Sequence, residues 1–437
     1  MFFQCVMTNH QLSRRDFAKL LLSSTAGALL GVGVPSSRTY AATNRVVIIG
    51  GGFGGATAAK YLRKLDPSVA ITLVEPKCQF YTCPISNWVI AGLKPMHAIA
   101  QNYNALRVRY GVNVVHATAV AIDALKNSVT LHSGKKLFYD RLIVSPGIDF
   151  RWNAIPGYSQ KVAESVMPHG FQAGEQTLLL RKQLLAMPNG GTVIMCPPNN
   201  PHRCPAAPYE RASLIAHYLK QHKPKSKVLI LDCKEKFSKQ ELFLQGWERL
   251  YSGMIEWRAA TAGGKVEAVN SAAMTVTTEF GDEKGDLINI MPPQQAGRIA
   301  FEAGLTDAAG WCPVHPITFE STLHPGIHII GDACHAGDMP KSAFASSSQG
   351  KVASSAIAAL LQGRVPVAPS LVSTCYSLLK PDYAISVANV FRLTIDGIVD
   401  VKGSGGVTPL DASVEHLQHE ADFAWGWYEN ITRDTWG

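Results

Sequence analysis

The sequence lacks the features that would place it in several common functional classes. It has no C-x-x-C-H motif, so this chain attaches no c-type haem, and no His/Cys spacing typical of a zinc site. No run of Lys or Arg is suited to follow a phosphate backbone, although the formal net charge is +8. Beyond the N-terminal segment, no apolar stretch is long enough to span a bilayer. We therefore expect that the chain binds no metal and no nucleic acid. We also expect no transmembrane segment in the chain that follows the N-terminal segment.

The composition that remains is that of an ordinary globular protein. The chain has 437 residues, of which 46% are hydrophobic and 17% charged. This length predicts two or three domains with well-filled cores. Part of the positive charge lies in residues 1–43, where four basic side chains accompany one acidic side chain, and a mild excess is spread along the rest.

The first residues have the order of an export signal. Arg14 and Arg15 precede an apolar stretch at residues 20–34, and the small residues Ala41 and Ala42 follow. The paired arginines are typical of a twin-arginine signal, with cleavage between Ala41 and Asn44. A transmembrane anchor is the alternative, but the stretch is short of the roughly 20 apolar residues that a span requires. We expect residues 1–42 to direct the protein to the periplasm, where disulfides are permitted.

A dinucleotide-binding fingerprint opens the mature chain. A β-branched run at residues 45–49 leads into Gly50-x-Gly52-x-x-Gly55, which precedes a predicted helix at residues 56–65. In such a motif the glycines permit a tight turn, close approach to a pyrophosphate and close packing of helix on strand. Glu75 follows the next predicted strand. An acidic side chain at this place accepts a hydrogen bond from a ribose hydroxyl of the dinucleotide. The fingerprint predicts a bound dinucleotide rather than a merely glycine-rich turn, but it does not choose between FAD and NAD.

A second Rossmann-like unit follows without a glycine motif. Its predicted strand at residues 192–196 leads into the proline-rich residues 197–203, then a helix at residues 209–221 and a strand at residues 227–231. Prolines cannot donate N–H groups to a pyrophosphate, so nicotinamide dinucleotide binding is disfavoured here.

The later chain returns to the first domain. A strand at residues 326–330 ends at Gly331-Asp332, and a helix is predicted from near Ser347 to Leu361. We predict an α/β fold with a signal segment at residues 1–42, followed by three domains. These are a dinucleotide-binding domain at residues 43–155 and 291–368, a second Rossmann-like domain at 156–290, and a C-terminal interface domain at 369–437. The last of these closes with a helix whose predicted packing face contains Val414, Leu417, Ala421, Ala424 and Tyr428.

Three cysteine segments carry a resemblance to a known family. They are Tyr81-Thr82-Cys83 with Ser86-Asn87, Arg203-Cys204-Pro205 with residues 208–213, and Thr374-Cys375-Tyr376-Ser377. Similar segments extend from about residue 45 to the C-terminus and include residues 237–240, 246–251, 310–314 and 405–409. The sequence resembles the flavoprotein subunit of the flavocytochrome c sulfide dehydrogenases, which are related to sulfide:quinone oxidoreductases.

The resemblance implies a glutathione-reductase-like flavoprotein with FAD as its cofactor. Asp332 is then expected against the FAD ribityl and pyrophosphate, with the N-terminus of the following helix directed at the flavin and Lys341 adding positive charge. Cys83 is expected to form a thioether to the flavin, whereas its alternative is a buried small apolar side chain. Trp427 is expected close to the flavin and facing a cytochrome, and its alternative is helix packing.

The resemblance also implies a redox disulfide between Cys204 and Cys375. Hydrosulfide attacks disulfides by thiol exchange, leaving a persulfide on one sulfur and a thiolate on the other. The flavin then passes electrons singly to haem c on a cytochrome subunit, with which this chain forms a heterodimer. Sulfide is oxidised to sulfur or polysulfide, and Glu210 is the nearest candidate acid or base.

Several alternatives remain open from the sequence. The chain could instead be a sulfide:quinone oxidoreductase, a type II NADH dehydrogenase (disfavoured by the missing second glycine motif), or a flavin-loaded binding subunit without turnover. The Cys204–Cys375 disulfide could be purely structural. Cys204 could also have another partner among the additional cysteines Cys78, Cys196, Cys233 and Cys334.

Overall fold

The computed structural model describes residues 43–395 and 397–437. The predicted signal at residues 1–42, including the twin arginines and Cys5, lies outside the described residues.

A parallel sheet of five strands takes its strands from both segments assigned to the dinucleotide-binding domain. In spatial order they are Ile327–Ile329, Arg141–Val144, Arg45–Ile49, Ala70–Val74 and Asn113–Val115. The central strand is a nearly continuous run of buried β-branched residues, as expected when helices or other segments cover both faces of a parallel sheet.

The helix after the central strand is Phe53–Leu65, so the predicted start at residue 56 was three residues late. The helix begins early because Gly52, in an extended conformation, serves as its N-cap directly after the glycine turn. The strand predicted at residues 326–330 is shorter, Ile327–Ile329.

The second Rossmann-like unit contains a parallel sheet of four strands. Thr192–Cys196 and Lys227–Leu231 have the predicted bounds, and Ile255–Arg258 and Leu287–Ile290 flank them. The helix between the first two strands, Ala207–His222, begins before the predicted Tyr209 because Pro208 fits the first helical turn. The helices Glu175–Ala186 and Gln240–Tyr251 belong to the same part of the chain.

The remaining sheets are antiparallel except for one short parallel pair. The C-terminal sheet contains Leu371–Lys380, Tyr383–Thr394, Gly397–Asp400 and Gly406–Val407. Two three-stranded sheets contain Ala119–Asp123, Ser128–Leu131 and Lys136–Phe138, and Val266–Asn270, Thr275–Thr278 and Gly281–Lys284. The two-stranded pairs are Gln79–Tyr81 with Ala100–Asn102, Ile148–Phe150 with Gln294–Ala296, and the parallel Cys312–Pro313 with Cys334–His335.

Further helices connect these sheets. The long helices of the later chain are Ala343–Leu361 and Val414–Trp436. The short helices are Ser86–Ala91, Asn104–Val108, Gln160–Ser165 and Arg298–Glu302. Turns of 3₁₀ helix occur at Met96–Ile99, Trp152–Ala154, Ala260–Ala262 and Gly331–Ala333.

Hydrogen bonds connect the C-terminal end of the helix Val414–Trp436 to the first domain. Lys60 donates hydrogen bonds to the carbonyl oxygens of Arg433, Asp434 and Gly437, at 2.8–3.1 Å. A cation at this position satisfies the last carbonyls of the helix and complements its dipole. Of the predicted packing face, Val414 is exposed because it lies in the first turn, while the other four side chains are buried.

One hydrophobic core extends through both Rossmann-like sheets and the C-terminal sheet. Residues Asn44–Gly437 form one compact unit. The domain boundaries at residues 155, 290 and 368 therefore stay a prediction about the organisation of the chain.

Candidate cofactor and redox site

A cleft lies where three neighbouring strands of the first sheet end. Its wall includes residues 50–54 after the central strand, residues 145–147 after Arg141–Val144, and Gly331 with Asp332 after Ile327–Ile329. Ligands of open parallel sheets bind outside the carboxyl ends of the strands. The topology alone thus makes this cleft the candidate cofactor site.

The glycines of the fingerprint have the conformations that the motif requires. Gly50 has a φ of +95°, and a Cβ there would lie 2.2 Å from the Ser145 carbonyl oxygen. A Cβ on Gly55 would lie 1.9 Å from the Gly50 carbonyl oxygen. Gly52 has no side chain to cap the helix Phe53–Leu65, so N–H groups of its first turn remain available to a phosphate.

Glu75 lies beside this glycine turn in the wall of the cleft. Its carboxylate accepts hydrogen bonds from the backbone N–H groups of Gly51, at 2.9 Å, and Lys77, at 3.0 Å. The side chain is therefore fixed at the end of its strand, as the fingerprint predicts for an acid that meets a ribose.

Asp332 forms a partly buried ion pair with Arg203. Its Oδ2 lies 2.6 Å from Arg203 Nε, while its Oδ1 is buried without a hydrogen-bond partner among the described residues. Burial acts to lower the pKa of Arg203, but the charge and hydrogen bond of Asp332 raise it above its ordinary value. Arg203 also donates to the Phe171 carbonyl oxygen at 2.8 Å and contacts Cys83 Sγ at 3.7 Å.

Two unpartnered polar atoms indicate that the cleft fits a polar cofactor. Asp332 Oδ1 is an acceptor and Trp427 Nε1 a donor, and both are buried without a partner in the described chain. Both residues line the cleft. Buried polar groups are normally hydrogen-bonded, so a dinucleotide with donors and acceptors along its length suits these residues.

Cys83 lines the same cleft as a free thiol. Its Sγ donates to the Phe171 carbonyl oxygen at 3.4 Å. The segment that holds it is positioned by Thr82, whose hydroxyl lies 2.9 Å from the Tyr428 hydroxyl on the C-terminal helix.

Cys204 and Cys375 lie together in the cleft wall, although they are far apart in the sequence. Cys204 precedes the helix Ala207–His222, and Cys375 lies within the strand Leu371–Lys380. Both are free thiols here, and each perturbs the pKa of the other. Cys204 has a φ of +49°, a sparsely populated conformation for a residue with a Cβ, and its N–H donates to the Lys341 carbonyl oxygen at 2.7 Å.

The two thiols of this pair differ in acidity. The hydrogen bond from Cys204 lowers the pKa of Cys375, and the charge of Lys239 acts in the same direction against burial. The hydrogen bond to Cys375 and burial raise the pKa of Cys204. The thiolate of the reduced pair therefore resides on Cys375.

Glu210 is half-buried close to this pair, in the first turn of the helix Ala207–His222. It accepts hydrogen bonds from Asn87 Nδ2 at 2.7 Å, the Leu378 N–H at 3.0 Å and Trp88 Nε1 at 3.4 Å. Burial raises the pKa of its carboxyl, which these hydrogen bonds oppose. A carboxyl with a raised pKa beside two thiols is suited to hold or release a proton.

The structure does not bring Lys341 into the cofactor cleft. Its Nζ donates to the carbonyl oxygens of Asp332 and Cys334, each at 2.8 Å, and lies 3.7 Å from the centre of the Trp311 ring. The next residue, Ser342, lines the cleft instead. Consecutive side chains of an extended segment point to opposite sides, so Ser342 and Lys341 face different cavities. That Lys341 adds positive charge at the flavin stays a prediction.

The helix after Asp332 is Ala343–Leu361 and not a helix from Ser347. Ser342 caps it, because its Oγ accepts from the Ala345 N–H at 3.1 Å. Residues of its first turn line the cleft, so its N-terminus faces the cofactor site from an earlier residue than predicted.

The N-terminus of the helix Ala207–His222 also faces this cleft, through Ala207, Glu210 and Arg211. In a unit that bound a second dinucleotide, the corresponding helix would face the phosphates of that dinucleotide.

A second cavity, of about 1090 Å³, lies beside residues 199–202 and Lys341. That NAD does not bind the second unit stays a prediction.

The other described free cysteines lie near one another in two places, outside the cofactor cleft. Cys196 is buried near Cys233, and Cys312 lies opposite Cys334 in a short parallel pair. Across the described ranges, no cluster of three or more His, Cys, Asp or Glu side chains could hold a metal ion. No described helix has the length and apolarity needed to cross a membrane.

Three charged residues at this site were not assigned a role from the sequence. Arg203 and Arg211 line the cleft, and Lys239 lies near the cysteine pair. Arg203 could have been recognised from the sequence, because it directly precedes Cys204. Arg211 is a buried arginine within a helix, and only the packing of distant elements shows that it and Lys239 belong to the site.

Comparisons with known proteins agree with this geometry. Residues 44–181 match the model of the pyridine nucleotide-disulphide oxidoreductase family. Residues 177–292 match the central region of the sulfide dehydrogenase [flavocytochrome c] flavoprotein chain, and residues 367–436 match the flavin-binding region of flavocytochrome c sulphide dehydrogenase.

Individual relatives point the same way. The sulfide dehydrogenase [flavocytochrome c] flavoprotein chain of Chlorobaculum thiosulfatiphilum is 72% identical over 47 residues, which are 11% of this chain and 98% of that sequence. The mitochondrial sulfide:quinone oxidoreductase of Mus musculus is 22% identical over 336 residues, 74% of this chain and 72% of that one.

A solved structure shares the fold. The sulfide:quinone oxidoreductase of Aquifex aeolicus superposes with a TM-score of 0.69 at 19% identity, covering 90% of this chain and 92% of that chain. This confirms the predicted α/β architecture with Rossmann-type domains. The family matches and the 72% identical relative, of which this chain covers 98%, show that the chain belongs to the family of flavocytochrome c sulfide dehydrogenase flavoprotein chains.

Proposed function

We propose that this flavoprotein oxidises sulfide with FAD and passes the electrons to a c-type cytochrome subunit. The observation that carries the proposal is the pair of thiols, Cys204 and Cys375, in the wall of the cofactor cleft. Oxidation of two neighbouring thiols gives a disulfide, and a disulfide is an electrophile that hydrosulfide can attack.

Hydrosulfide opens the disulfide by thiol exchange. The bond between the two cysteine sulfurs breaks, a bond forms between the substrate sulfur and one cysteine, and the electron pair remains on the other cysteine as a thiolate. When the disulfide re-forms and the substrate sulfur departs, as sulfur or joined to a second sulfide, two electrons and a proton are released, and bound FAD would be the acceptor of the two electrons. Glu210, half-buried near both thiols, holds or releases this proton.

FAD supplies the two-electron acceptor that this exchange requires and releases electrons one at a time to a haem. In the proposed complex, the first-turn N–H groups after Gly52 hold the pyrophosphate and Glu75 holds the adenosine ribose. Asp332 Oδ1 accepts from the ribityl chain. Cys83, a free thiol in the cleft, is the residue that would hold the flavin through a thioether.

The names of the relatives support a c-type cytochrome as the electron acceptor. Flavocytochrome c names a complex of a flavoprotein chain with a cytochrome, and this chain has no C-x-x-C-H of its own. The haem therefore belongs to a second subunit in a heterodimer. The twin-arginine segment, with its paired arginines, supports export to the periplasm.

A turnover assay with two acceptors tests the proposal. The purified flavoprotein with its cytochrome subunit should reduce added c-type cytochrome in the presence of sulfide, and Cys204→Ser should abolish this. Cys233→Ser is the matched control, because Cys233 donates to the Pro197 carbonyl oxygen and does not line the cofactor cleft.

Each other outcome favours a different function. Sulfide-dependent reduction of a quinone but not of cytochrome c would assign the chain to sulfide:quinone oxidoreductase activity. A flavin-loaded protein that reduces neither acceptor would support a binding subunit without turnover.

A further inference from the structure

Lys239 is a cation held against the same strand face as Cys375. Its Nζ donates to Ser377 Oγ at 2.9 Å, and the Ser377 side chain is buried. Ser377 follows Cys375 by two positions in the strand Leu371–Lys380, so the two side chains project from one face of that strand. The ammonium group that Ser377 holds therefore lies over the face from which Cys375 Sγ projects.

The backbone at Lys239 keeps the side chain in this place. Lys239 has a φ of +59° and is the N-cap of the helix Gln240–Tyr251. That helix packs near the strand through Gly246, where an added Cβ would lie 2.2 Å from Leu379 Cδ2. The close approach of the helix to the strand brings the start of the helix, and with it Lys239, to the cysteine pair.

Three groups set the electrostatic environment of Cys375 in the described chain. The neighbouring Cys204 thiol and the positive charge of Lys239 lower the pKa of Cys375, while burial and the negative charge of Glu210 raise it. Cys204 and Glu210 lie just before and within the helix Ala207–His222, and Lys239 caps the helix Gln240–Tyr251. Lys239 is the cation among them, and its side chain is fixed by a hydrogen bond rather than left free in solvent.

We propose that Lys239 is a positioning residue of the redox pair, which stabilises Cys375 as the thiolate and thereby makes it the leaving sulfur when hydrosulfide opens the disulfide. The inference rests on the proposed function, because it takes the disulfide exchange as given. Thiol exchange is faster when the departing sulfur is the more stable thiolate. Lys239 thus directs hydrosulfide to Cys204 by favouring departure of Cys375.

The exchange balances for this assignment. The sulfur of HS⁻ forms a bond to Cys204 Sγ and the Cys204–Cys375 bond breaks. The electron pair of the broken bond becomes the lone pair of Cys375, next to the Lys239 ammonium, and the substrate proton stays on the persulfide. The negative charge that enters with HS⁻ resides on Cys375 afterwards, where a cation is already in place.

A thiol titration that needs no sulfide and no cytochrome tests this role. The purified flavoprotein is reduced with a phosphine without oxygen and pulsed with iodoacetamide at a series of pH values around the ordinary cysteine pKa of about 8.5. The alkylated fraction of the Cys375 peptide is read by mass spectrometry. Loss of a nearby opposite charge raises a thiol pKa, so Lys239→Met should move the midpoint of Cys375 labelling upward by about one pH unit.

Matched variants separate this effect from a structural one. Lys239→Arg should retain the wild-type midpoint, and Lys236→Met, which changes an exposed lysine nearby, should leave it unchanged. Ser377→Ala keeps the lysine but removes its anchor, so it should shift the midpoint in the same direction as Lys239→Met by a smaller amount.

An unchanged midpoint in both Lys239→Met and Ser377→Ala would overturn the role of Lys239. That result is separate from failure of the proposed function, which would appear as a wild-type protein that does not react with sulfide. A Lys239→Met protein that does not fold leaves Ser377→Ala to decide the question.

Discussion

Asp332 Oδ2 accepts a hydrogen bond from Arg203 Nε at 2.6 Å, while Asp332 Oδ1 is buried without a partner in the described chain and the residue lines the cofactor cleft. One carboxylate thus joins two parts of the site. Arg203 neighbours Cys204 in the chain and contacts Cys83 Sγ. The cofactor-binding turn at Asp332 and the two cysteine segments are therefore linked through one ion pair.

Removal of this carboxylate should release the cofactor and destabilise the protein. Asp332→Ala leaves the guanidinium of Arg203 without its ion-pair partner, and breaking a buried pair costs about 3–5 kcal/mol. The side chains are 18% and 11% exposed, so the lower end of that range is expected. Flavin absorbance per protein and the thermal unfolding midpoint measure the two effects.

Asp411→Ala is the control for Asp332→Ala, because Asp411 is an exposed aspartate. It should retain full flavin content and an unchanged midpoint. Wild-type flavin content and stability in Asp332→Ala would contradict the role of the ion pair.

The third glycine of the fingerprint should not tolerate a methyl group. In Gly55→Ala the Cβ would lie 1.9 Å from the Gly50 carbonyl oxygen, a backbone atom that cannot move without opening the turn. We expect loss of bound flavin and a fall in the unfolding midpoint. Gly426→Ala is matched, since Gly426 also lies in a helix but a Cβ there meets open space.

Gly426→Ala should be neutral or more stable by roughly 0.5–1 kcal/mol, because alanine is favoured over glycine within a helix. Equal flavin content in the two glycine variants would show that close packing of the first helix on the turn is not required.

Cys83 should determine whether the flavin can be extracted. If Cys83 forms a thioether, acid precipitation of the wild-type protein leaves the yellow flavin with the pellet. Cys83→Ala should release it to the supernatant, while folding and binding remain because the cleft contacts of the dinucleotide are otherwise intact. Release of flavin from the wild-type protein would show that the cofactor is bound without a covalent bond.

Glu210 should give the stability of the protein a characteristic pH dependence. Burial raises the pKa of its carboxyl, so the folded protein binds this proton more tightly than the unfolded chain does. The resulting stabilisation is fully present below the unfolded pKa of about 4.3 and is lost as the pH rises through the folded pKa. Glu210→Gln removes this titration. The thermal unfolding midpoint of the wild type minus that of the variant should therefore decrease as the pH rises from the unfolded pKa through the folded pKa.

Glu241→Gln serves as the comparison, because Glu241 is exposed in the next helix along the chain. Its midpoint should differ from the wild-type midpoint by a constant amount across the same pH range. Parallel curves for wild type and Glu210→Gln would contradict a raised pKa at Glu210.

The local parts of the fold were accessible from the sequence. Buried β-branched runs and turn glycines indicated the strands at Arg45–Ile49 and Thr192–Cys196, because their signals lie within a few residues of each other. Helix starts were less accurate. The cap at Ser342 is a single side-chain hydrogen bond that shifts the start of the helix by several residues.

The parts of the site that depend on packing were not accessible. Trp436, whose Nε1 donates to the Gly51 carbonyl oxygen at 3.2 Å, reaches the glycine turn only because the C-terminal helix lies against the first domain. Lys239 reaches the cysteine pair through the approach of one helix to a strand far away in sequence. The sequence also did not reveal that the Lys341 ammonium donates to the Asp332 carbonyl oxygen, because which side of an extended segment faces the cleft depends on tertiary structure.

The most direct test of the account is an anaerobic titration of the oxidised flavoprotein with sulfide, followed by flavin absorbance. We predict bleaching at stoichiometric sulfide, abolished in Cys204→Ser and in Cys375→Ser but retained in Cys233→Ser. A flavin that sulfide does not bleach, or that it bleaches equally in the two redox-cysteine variants, would contradict entry of electrons through the Cys204–Cys375 disulfide.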